Sequence, residues 1–122
     1  MNSKFSAEIQ AEIDQIKNKV QAWKYLFDIE INLYIDGWAV SLREKNAYPR
    51  YITIFKSYES CTYSIKSFEV HLKNYKDEEF KELYKVENIK DQSTLLHELR
   101  EIIYGKDLMN DASNMYKKTF LN

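Results

Sequence analysis

Histidine, cysteine and carboxylate side chains supply much of catalytic chemistry, and this chain of 122 residues has two histidines and one cysteine. The segment His97-Glu98-Leu99-Arg100-Glu101 begins like the zinc motif H-E-x-x-H, in which two histidines one helical turn apart bind the metal. Glu101 stands where the second histidine is required. The segment therefore predicts no zinc site, and nothing else in the sequence predicts a metal or a cofactor.

Two further combinations of reactive residues also fall short of a catalytic site. Cys61 could act as a nucleophile with His71 or His97 as its base, but its place in an alternating strand pattern favours a buried, inert thiol. Metal-dependent nucleases need an acid-x-Lys pair on a strand, whereas Glu79-Phe80-Lys81 lies in a segment predicted to be helical. No phosphate-binding glycine loop or nucleophile elbow is present. We therefore predict no catalytic residues and a protein that is not an enzyme.

Acidic residues are concentrated towards the C-terminal half, although the net charge is only −1. Residues 77–111 carry 10 acidic and 5 basic side chains. Carboxylates presented on helices can occupy a basic groove that normally binds phosphate, because electrostatic steering depends on the sign of the field. The alternative is an ordinary solvated helix face with i,i+4 ion pairs. The candidate acidic partner-binding residues are Asp77, Glu78, Glu79, Glu82, Glu98 and Glu101.

Residues 38–76 are mildly basic, with 7 basic and 3 acidic side chains, and rich in aromatic residues. Such a sheet could stack bases and contact phosphate, which makes Arg43, Lys45, Arg50 and Lys56 candidates for binding nucleic acid. The pI of about 6.1 argues against this, since nucleic-acid-binding domains commonly exceed about 9. Nucleic-acid binding is therefore the alternative function. Trp38, Tyr48 and Tyr58 are the candidate aromatic anchors of a protein interface.

Length and composition predict a single α+β domain over residues 1–122. One cysteine cannot form an internal disulfide, which favours a reducing compartment. Neither an apolar leader nor an apolar run of about 18 residues is present, so we expect a cytoplasmic location without membrane insertion.

An apolar stripe at helical spacing predicts an N-terminal amphipathic helix of about six turns, with Ser6 as its N-cap. Packing of this stripe on a sheet is favoured over the alternative, a homodimer through Ile9, Ile13, Ile16 and Val20. The stripe continues through Trp23 and Phe27.

The apolar period then changes to two, which predicts strands. Residues 29–44 read as a hairpin with a type I′ turn at Asp36-Gly37, followed by strands over 51–56 and 61–66. Residues 67–75 fit either a strand or a helix, and a fifth strand is favoured. Three helices should follow: a short one beyond Asp77, one over residues 95–103 that ends at Gly105, and one from Asp107. The predicted fold is α+β: an N-terminal amphipathic helix, an antiparallel sheet of four or five strands, then two or three C-terminal helices.

One short segment resembles a known family. Asp36-Gly37-Trp38, followed by Ser41, Ala47-Tyr48 and Tyr51-Ile52, is similar to a segment of phage-encoded type II-A anti-CRISPR proteins, which inhibit Cas9. The resemblance covers about one tenth of the chain. It implies a strongly basic N-terminal arm, and this chain departs from that with a nearly neutral amphipathic helix.

The leading hypothesis from the sequence is a non-enzymatic phage or mobile-element protein that evades host defence. It would bind a larger nucleoprotein stoichiometrically, most specifically Cas9, in the cytoplasm of a bacterial host. The acidic residues would engage a basic groove of that partner.

Overall fold

The computed structural model describes residues 3–45, 50–72 and 77–105. Two helices and five strands follow one another in the order α1 (Ser3–Val20), β1 (Phe27–Leu33), β2 (Gly37–Glu44), β3 (Arg50–Ser57), β4 (Tyr63–Leu72), β5 (Glu78–Ile89) and α2 (Gln92–Ile103). A 3-10 turn, Gln21–Trp23, connects α1 to β1. The α+β class, the N-terminal helix and the antiparallel sheet are confirmed.

The strands form one antiparallel sheet in the order β1-β2-β3-β4-β5, so every strand pairs with its neighbours in the sequence. Short connections between antiparallel strands favour this meander. The two outer strands, β1 and β5, are the edges of the sheet.

Both helices pack on one face of the sheet, here called the helix-side face. Its centre is apolar and fully buried, with Val40, Leu42, Ile52, Ile54 and Ile65 in one core with residues of both helices. The helices contribute Ile13, Ile16, Val20, Leu95, Leu99, Ile102 and Ile103. The opposite face, here called the open face, carries Ser41, Arg43, Tyr51, Phe68 and Phe80.

The apolar stripe of α1 packs on the sheet, as the favoured interpretation predicted. Ile13, Ile16 and Val20 are buried within the chain, and Ile9 packs against the same core, so a dimer through this stripe would have to open the domain. The predicted length was wrong: α1 ends at Val20, and Phe27 opens β1. Phe27 fits the helical spacing of the stripe but lies in the sheet, where it pairs with Glu44 of β2. Ser6 lies inside the helix, which begins at Ser3.

The strand interpretation of residues 67–72 is confirmed, but they do not form a separate strand. They continue β4, which begins at Tyr63, so the predicted fourth and fifth strands are one element of 10 residues. Residues 73–75 lie outside the described residues.

The helix predicted beyond Asp77 was wrong, because this segment is β5. One of the two register shifts between β4 and β5 explains the misleading pattern. Ser67 pairs with Tyr84 and Phe68 with Glu82, which leaves Leu83 as an extra residue of a β-bulge. The bulge changes the alternation of faces, so the apolar residues of one strand take on helix-like spacing.

Helix α2 is confirmed with its predicted end. The carboxylate of Asp91 accepts from the backbone N–H of Thr94 at 2.7 Å, and this capping bond lowers the pKa of Asp91. Gly105 follows with φ of 106°, the left-handed conformation expected for it. One helix thus follows the sheet in the described residues, rather than two or three, and the helix predicted from Asp107 lies outside them. No helix of the described ranges is long and apolar enough to cross a membrane.

Candidate interaction surface

Exposed apolar side chains are concentrated on one edge of the sheet. Five of the seven large apolar side chains that are exposed in the described residues lie between positions 25 and 35. They are Tyr25, Leu26, Leu33, Tyr34 and Ile35. Together with strand β1, which they flank, they form what we call the β1 edge surface. They form two groups, with Tyr25 and Leu26 before the strand and Leu33, Tyr34 and Ile35 at its other end. A contiguous exposed apolar group such as the second marks interaction sites more often than single exposed residues do.

The end of β1 and the loop that follows it carry three of these residues. Leu33 is 68% exposed and Ile35 is fully exposed, although both are large aliphatic side chains. Three consecutive apolar residues, Leu33-Tyr34-Ile35, interrupt the alternation of β1 just before the turn. This run is the signal in the sequence that could have identified the surface.

The same loop is fastened to the rest of the sheet by backbone hydrogen bonds. The N–H of Tyr34 donates to the carbonyl of Gly37 at 2.8 Å, and the N–H of Tyr58 donates to the carbonyl of Asp36 at 3.0 Å. The ring of Tyr34 also lies against that of Phe55, with centroids 6.3 Å apart. Ile35 is therefore exposed on a loop that these contacts hold in place, so less conformational entropy is lost when a partner binds.

Gly37 is required because there is no room for a side chain at this position, and not because of its backbone dihedral angles. Among the described residues, Gly105 is the glycine with positive φ, so Asp36-Gly37 does not form the predicted type I′ turn. A Cβ at position 37 would collide with the carbonyl oxygen of Lys56 and with the ring of Phe55. The glycine is needed because β2 passes close to β3 at this point.

Acidic side chains line the open-face side of β1. Asp28 and Glu30 alternate with Ile29 and Ile31, and both carboxylates are exposed. Lys45 lies 3.7 Å from Asp28 as an exposed pair, which contributes little. The β1 edge surface is therefore apolar on one side and negatively charged on the other.

A cavity on the open face adjoins this edge. It has a volume of about 730 Å³, and its lining includes Asp28, Glu30, Ser41 and an aromatic floor. The floor consists of Tyr51, Phe68 and Phe80, with ring centroids 5.5 to 6.2 Å apart.

An ion pair borders the cavity on the open face. Arg43 Nη1 donates to Glu78 Oε1 at 3.1 Å, and a second hydrogen bond joins the same two side chains. This contact raises the pKa of Arg43 and lowers that of Glu78. The positive charge of Arg43 is therefore largely neutralised by Glu78 of the same chain.

The four basic candidates are not brought together. Arg43 lies on the open face and exposed Lys45 lies just beyond the end of β2, whereas Arg50 and Lys56 lie on the helix-side face. Arg50 is buried and binds the C-terminal carbonyls of α2. Lys56 bonds to Glu12 of α1 at 3.3 Å. A single nucleic-acid-binding surface made of all four is therefore not formed.

The acidic candidates lie on a strand and on α2, and not on helices alone as predicted. Glu78, Glu79 and Glu82 belong to the edge strand β5, with Glu78 and Glu82 on the open face and Glu79 on the other. Helical i,i+4 pairing along this segment was therefore wrong. Exposed Asp77 precedes the strand. On α2, Glu101 is exposed, at 4.0 Å from His97, and Glu98 is half-buried.

The three aromatic candidates have different environments. Trp38 was expected to be exposed, but it is completely buried, because it falls on the helix-side phase of β2 and its ring meets Tyr63 edge-on. Its indole Nε1 has no hydrogen-bond partner among the described residues. Tyr58 is half-buried against the core, and Tyr48 lies outside the described residues.

The reactive residues named from the sequence lie in other environments than predicted, and those described form no metal-binding cluster. Cys61 is exposed in the turn before β4, with φ of 57°, so the buried thiol predicted for it was wrong. Glu79-Phe80-Lys81 lies on a strand rather than a helix, opposite Glu69 and His71. Nevertheless, no group of three or more histidine, cysteine or carboxylate side chains within the described ranges could hold a metal ion.

Comparison of the chain with protein-family models, curated proteins and solved structures found no match.

Proposed function

We propose that this protein is a non-enzymatic inhibitor that binds a larger host-defence nucleoprotein stoichiometrically, most specifically a phage-encoded anti-CRISPR protein acting on Cas9. The observation that carries the binding role is the exposed apolar run Leu33-Tyr34-Ile35 of the β1 edge surface, which supplies three of the seven large apolar side chains exposed in the described residues. Proteins expose such clusters mainly where a partner covers them.

Two features support a macromolecular partner over a small molecule. Leu33 ends β1, and Tyr34 and Ile35 follow it in a loop held by backbone hydrogen bonds; these exposed side chains offer a projecting anchor, whereas small-molecule sites are concave. The carboxylates Asp28 and Glu30 beside them suit a partner surface that is basic, as the nucleic-acid-binding channels of nucleoproteins are. The choice of Cas9 rests on the resemblance of residues 36–52 to the anti-CRISPR family, and the action would take place in the bacterial cytoplasm.

In this proposal the protein inhibits by occupying its partner. The apolar loop supplies the buried centre of the interface, and the acidic residues supply the polar rim and the long-range attraction. Glu79 and Glu82 are exposed and would take part in this attraction, whereas Glu78 is paired with Arg43.

The test is a titration of DNA cleavage by a type II-A Cas9 loaded with guide RNA. We expect cleavage to fall in proportion to added protein and to reach its minimum near equal molar amounts, with a stable complex on gel filtration. Inhibition at far less than equimolar protein would indicate an enzyme, and no complex with loaded or unloaded Cas9 would overturn the proposal.

The second candidate function is a nucleic-acid-binding module, and the aromatic floor of the open-face cavity favours it. Tyr51, Phe68 and Phe80 could stack bases, with Lys66 and Lys85 paired across the same sheet. It ranks second because Asp28 and Glu30 line the cavity and oppose phosphate, and because the charge of Arg43, which also lines it, is paired with Glu78. Filter binding at two salt concentrations tests it, since phosphate contacts give a steep loss of affinity with salt.

A further inference from the structure

The two edges of the sheet differ in how they are protected against pairing with another strand. β5 carries charged residues along its length and two register shifts in its pairing with β4, and both features discourage addition of a strand. β1 pairs with β2 in unbroken register and contains neither lysine nor proline. The β1 edge is thus less protected than β5, with charge only at Asp28 and Glu30 on one of its faces.

The backbone groups that point outward from β1 follow from its hydrogen bonds to β2. The N–H of Lys45 donates to the carbonyl of Leu26 at 3.0 Å, and that of Tyr34 to Gly37 at 2.8 Å. In an antiparallel pair, the inward-facing residues alternate with the outward-facing ones. The even-numbered residues of this stretch therefore face β2, and the N–H and C=O groups of Ile29, Ile31 and Leu33 face away from it.

The side chains along this edge separate into two chemical rows. Ile29, Ile31 and Leu33 lie on the helix-side face, where exposure rises from half-buried to mostly exposed along the strand. Asp28 and Glu30 lie on the open face. A strand added here would place one row of its side chains beside the isoleucines and the other row beside the carboxylates.

We infer that β1 accepts an extended segment of the partner as a sixth strand of the sheet, and that this segment alternates apolar residues with lysine or arginine. This inference rests on the proposed function, because it names how the same surface engages its partner. Main-chain hydrogen bonds to Ile29, Ile31 and Leu33 supply affinity. The apolar row of the segment continues the core, and its basic row meets Asp28 and Glu30.

Charge argues against a second copy of this chain as the added strand. Two β1 strands would bring two copies of Asp28 and Glu30 to the same face of the joined sheet. Carboxylates close together across a strand pair are destabilising, whereas lysine or arginine opposite them is favourable.

The experiment uses the full chain and fluorescein-labelled ten-residue peptides that alternate valine with lysine, or valine with glutamate. We expect the valine-lysine peptide to bind at least about tenfold more tightly than the valine-glutamate peptide, since like charges across a strand pair are repulsive. Methylating alternate backbone nitrogens of the peptide should abolish binding, because the added strand then loses its donors. Equal binding of all three peptides would contradict strand addition.

Two variants make the test specific to β1. In the double variant Asp28→Lys/Glu30→Lys, whose side chains are exposed, we expect the preference between the two peptides to reverse. Ile31→Pro removes an outward N–H without breaking a bond to β2, so binding should be lost while the sheet remains. Glu8→Lys/Asp14→Lys is the matched control, with the same charge change at two exposed positions of α1.

Two measurements on the protein without peptide test whether the β1 edge is instead covered by a second copy or by another part of the same chain. If sedimentation detects a dimer that Ile31→Pro dissociates, a second copy is the occupant and the inference fails. If the amides of Ile29, Ile31 and Leu33 are protected from hydrogen exchange in the monomer, the chain covers its own edge and the inference also fails. Rapid exchange of these amides that slows on adding the valine-lysine peptide supports strand addition.

The failure of this inference is distinguishable from failure of the proposed function. If Asp28→Lys/Glu30→Lys and Ile31→Pro still inhibit Cas9 like the unmodified chain, strand addition is wrong and the inhibitor role stands. If the unmodified chain does not bind Cas9, the proposed function fails, and the peptides still decide whether β1 adds a strand.

Discussion

Arg50 closes the C-terminal end of helix α2 through the carbonyl of Ile102. Its Nη1 donates to Ile102 O at 2.9 Å, its Nη2 donates to Ile103 O at 3.1 Å, and its Nε donates to Glu44 at 2.9 Å. A helix leaves its last carbonyls without intrahelical donors, and a cation also complements the negative end of its dipole. Arg50 therefore joins β3 to α2, and its role is structural although its residue type suggested phosphate binding.

Replacing this arginine should destabilise the domain. Lysine cannot reproduce a fork that donates to two carbonyls and a carboxylate, so Arg50→Lys should lower the free energy of unfolding by roughly 1.5–3 kcal/mol, the contribution of a hydrogen bond to a charged group. Urea denaturation measures the change. Arg100→Lys, at an exposed position of α2, is the control and should change the value by less than about 0.5 kcal/mol. Equal losses in the two variants would refute the structural role.

Tyr63 should make stability depend on alkaline pH. Its hydroxyl donates to Glu12 at 2.8 Å, and burial, followed by this contact, raises its pKa above the ordinary 10.0. A pKa that is raised on folding stabilises the domain at pH below the unfolded value, and this stabilisation is lost as the pH rises through the folded value. The unfolding free energy should therefore fall above about pH 10, and more steeply than in Tyr63→Phe.

This comparison is measured by urea denaturation of both proteins between about pH 8 and pH 11. The advantage of the unmodified chain over Tyr63→Phe should shrink at the upper end. Tyr25→Phe changes an exposed tyrosine and should run parallel to the unmodified chain. If the free energy of unfolding of Tyr63→Phe has the same pH dependence as that of the unmodified chain, the raised pKa of Tyr63 does not contribute to stability.

The acidic strand β5 offers a test of electrostatic attraction to the partner. Glu79→Lys/Glu82→Lys reverses two exposed charges, and we expect Cas9 binding to weaken on the order of tenfold, mainly through a slower association rate. Glu78 is left unchanged because its loss would release Arg43. Surface plasmon resonance at low and high salt checks the rate, with Glu8→Lys/Asp14→Lys as the control. The same association rate in all three proteins would exclude a role for these carboxylates.

Much of the fold could be predicted because hydrophobic periodicity reports burial. The alternation around Val40 and Leu42 and the helical spacing of Leu95 and Leu99 both correspond to side chains that are fully buried. Periodicity predicted the wrong element where a β-bulge or strand pairing changed which residues are buried. The bulge at Leu83 gave β5 a helical spacing, and the pairing of Phe27 with β2 ended α1 earlier than its stripe.

The candidate surface was harder to predict, because exposure and pairing depend on the tertiary structure. Trp38 and Arg50 have the residue types of an interface, yet both point into the helix-side layer. Conversely, Leu33 and Ile35 have the residue types of a core and are exposed. The identity of a side chain sets what it can contact, but the phase of its strand decides which face it reaches.

The most direct test of the inhibitor role is the potency of Leu33→Lys/Ile35→Lys in the Cas9 cleavage titration. Both side chains are exposed, so circular dichroism should be unchanged. Tyr104→Lys changes an exposed apolar residue away from β1 and serves as the control. We expect the double variant to lose at least about thirtyfold in potency, as variants of central interface residues do, while the control inhibits normally. Full inhibition by the double variant, or an equal loss in Tyr104→Lys, would contradict binding through the β1 edge surface.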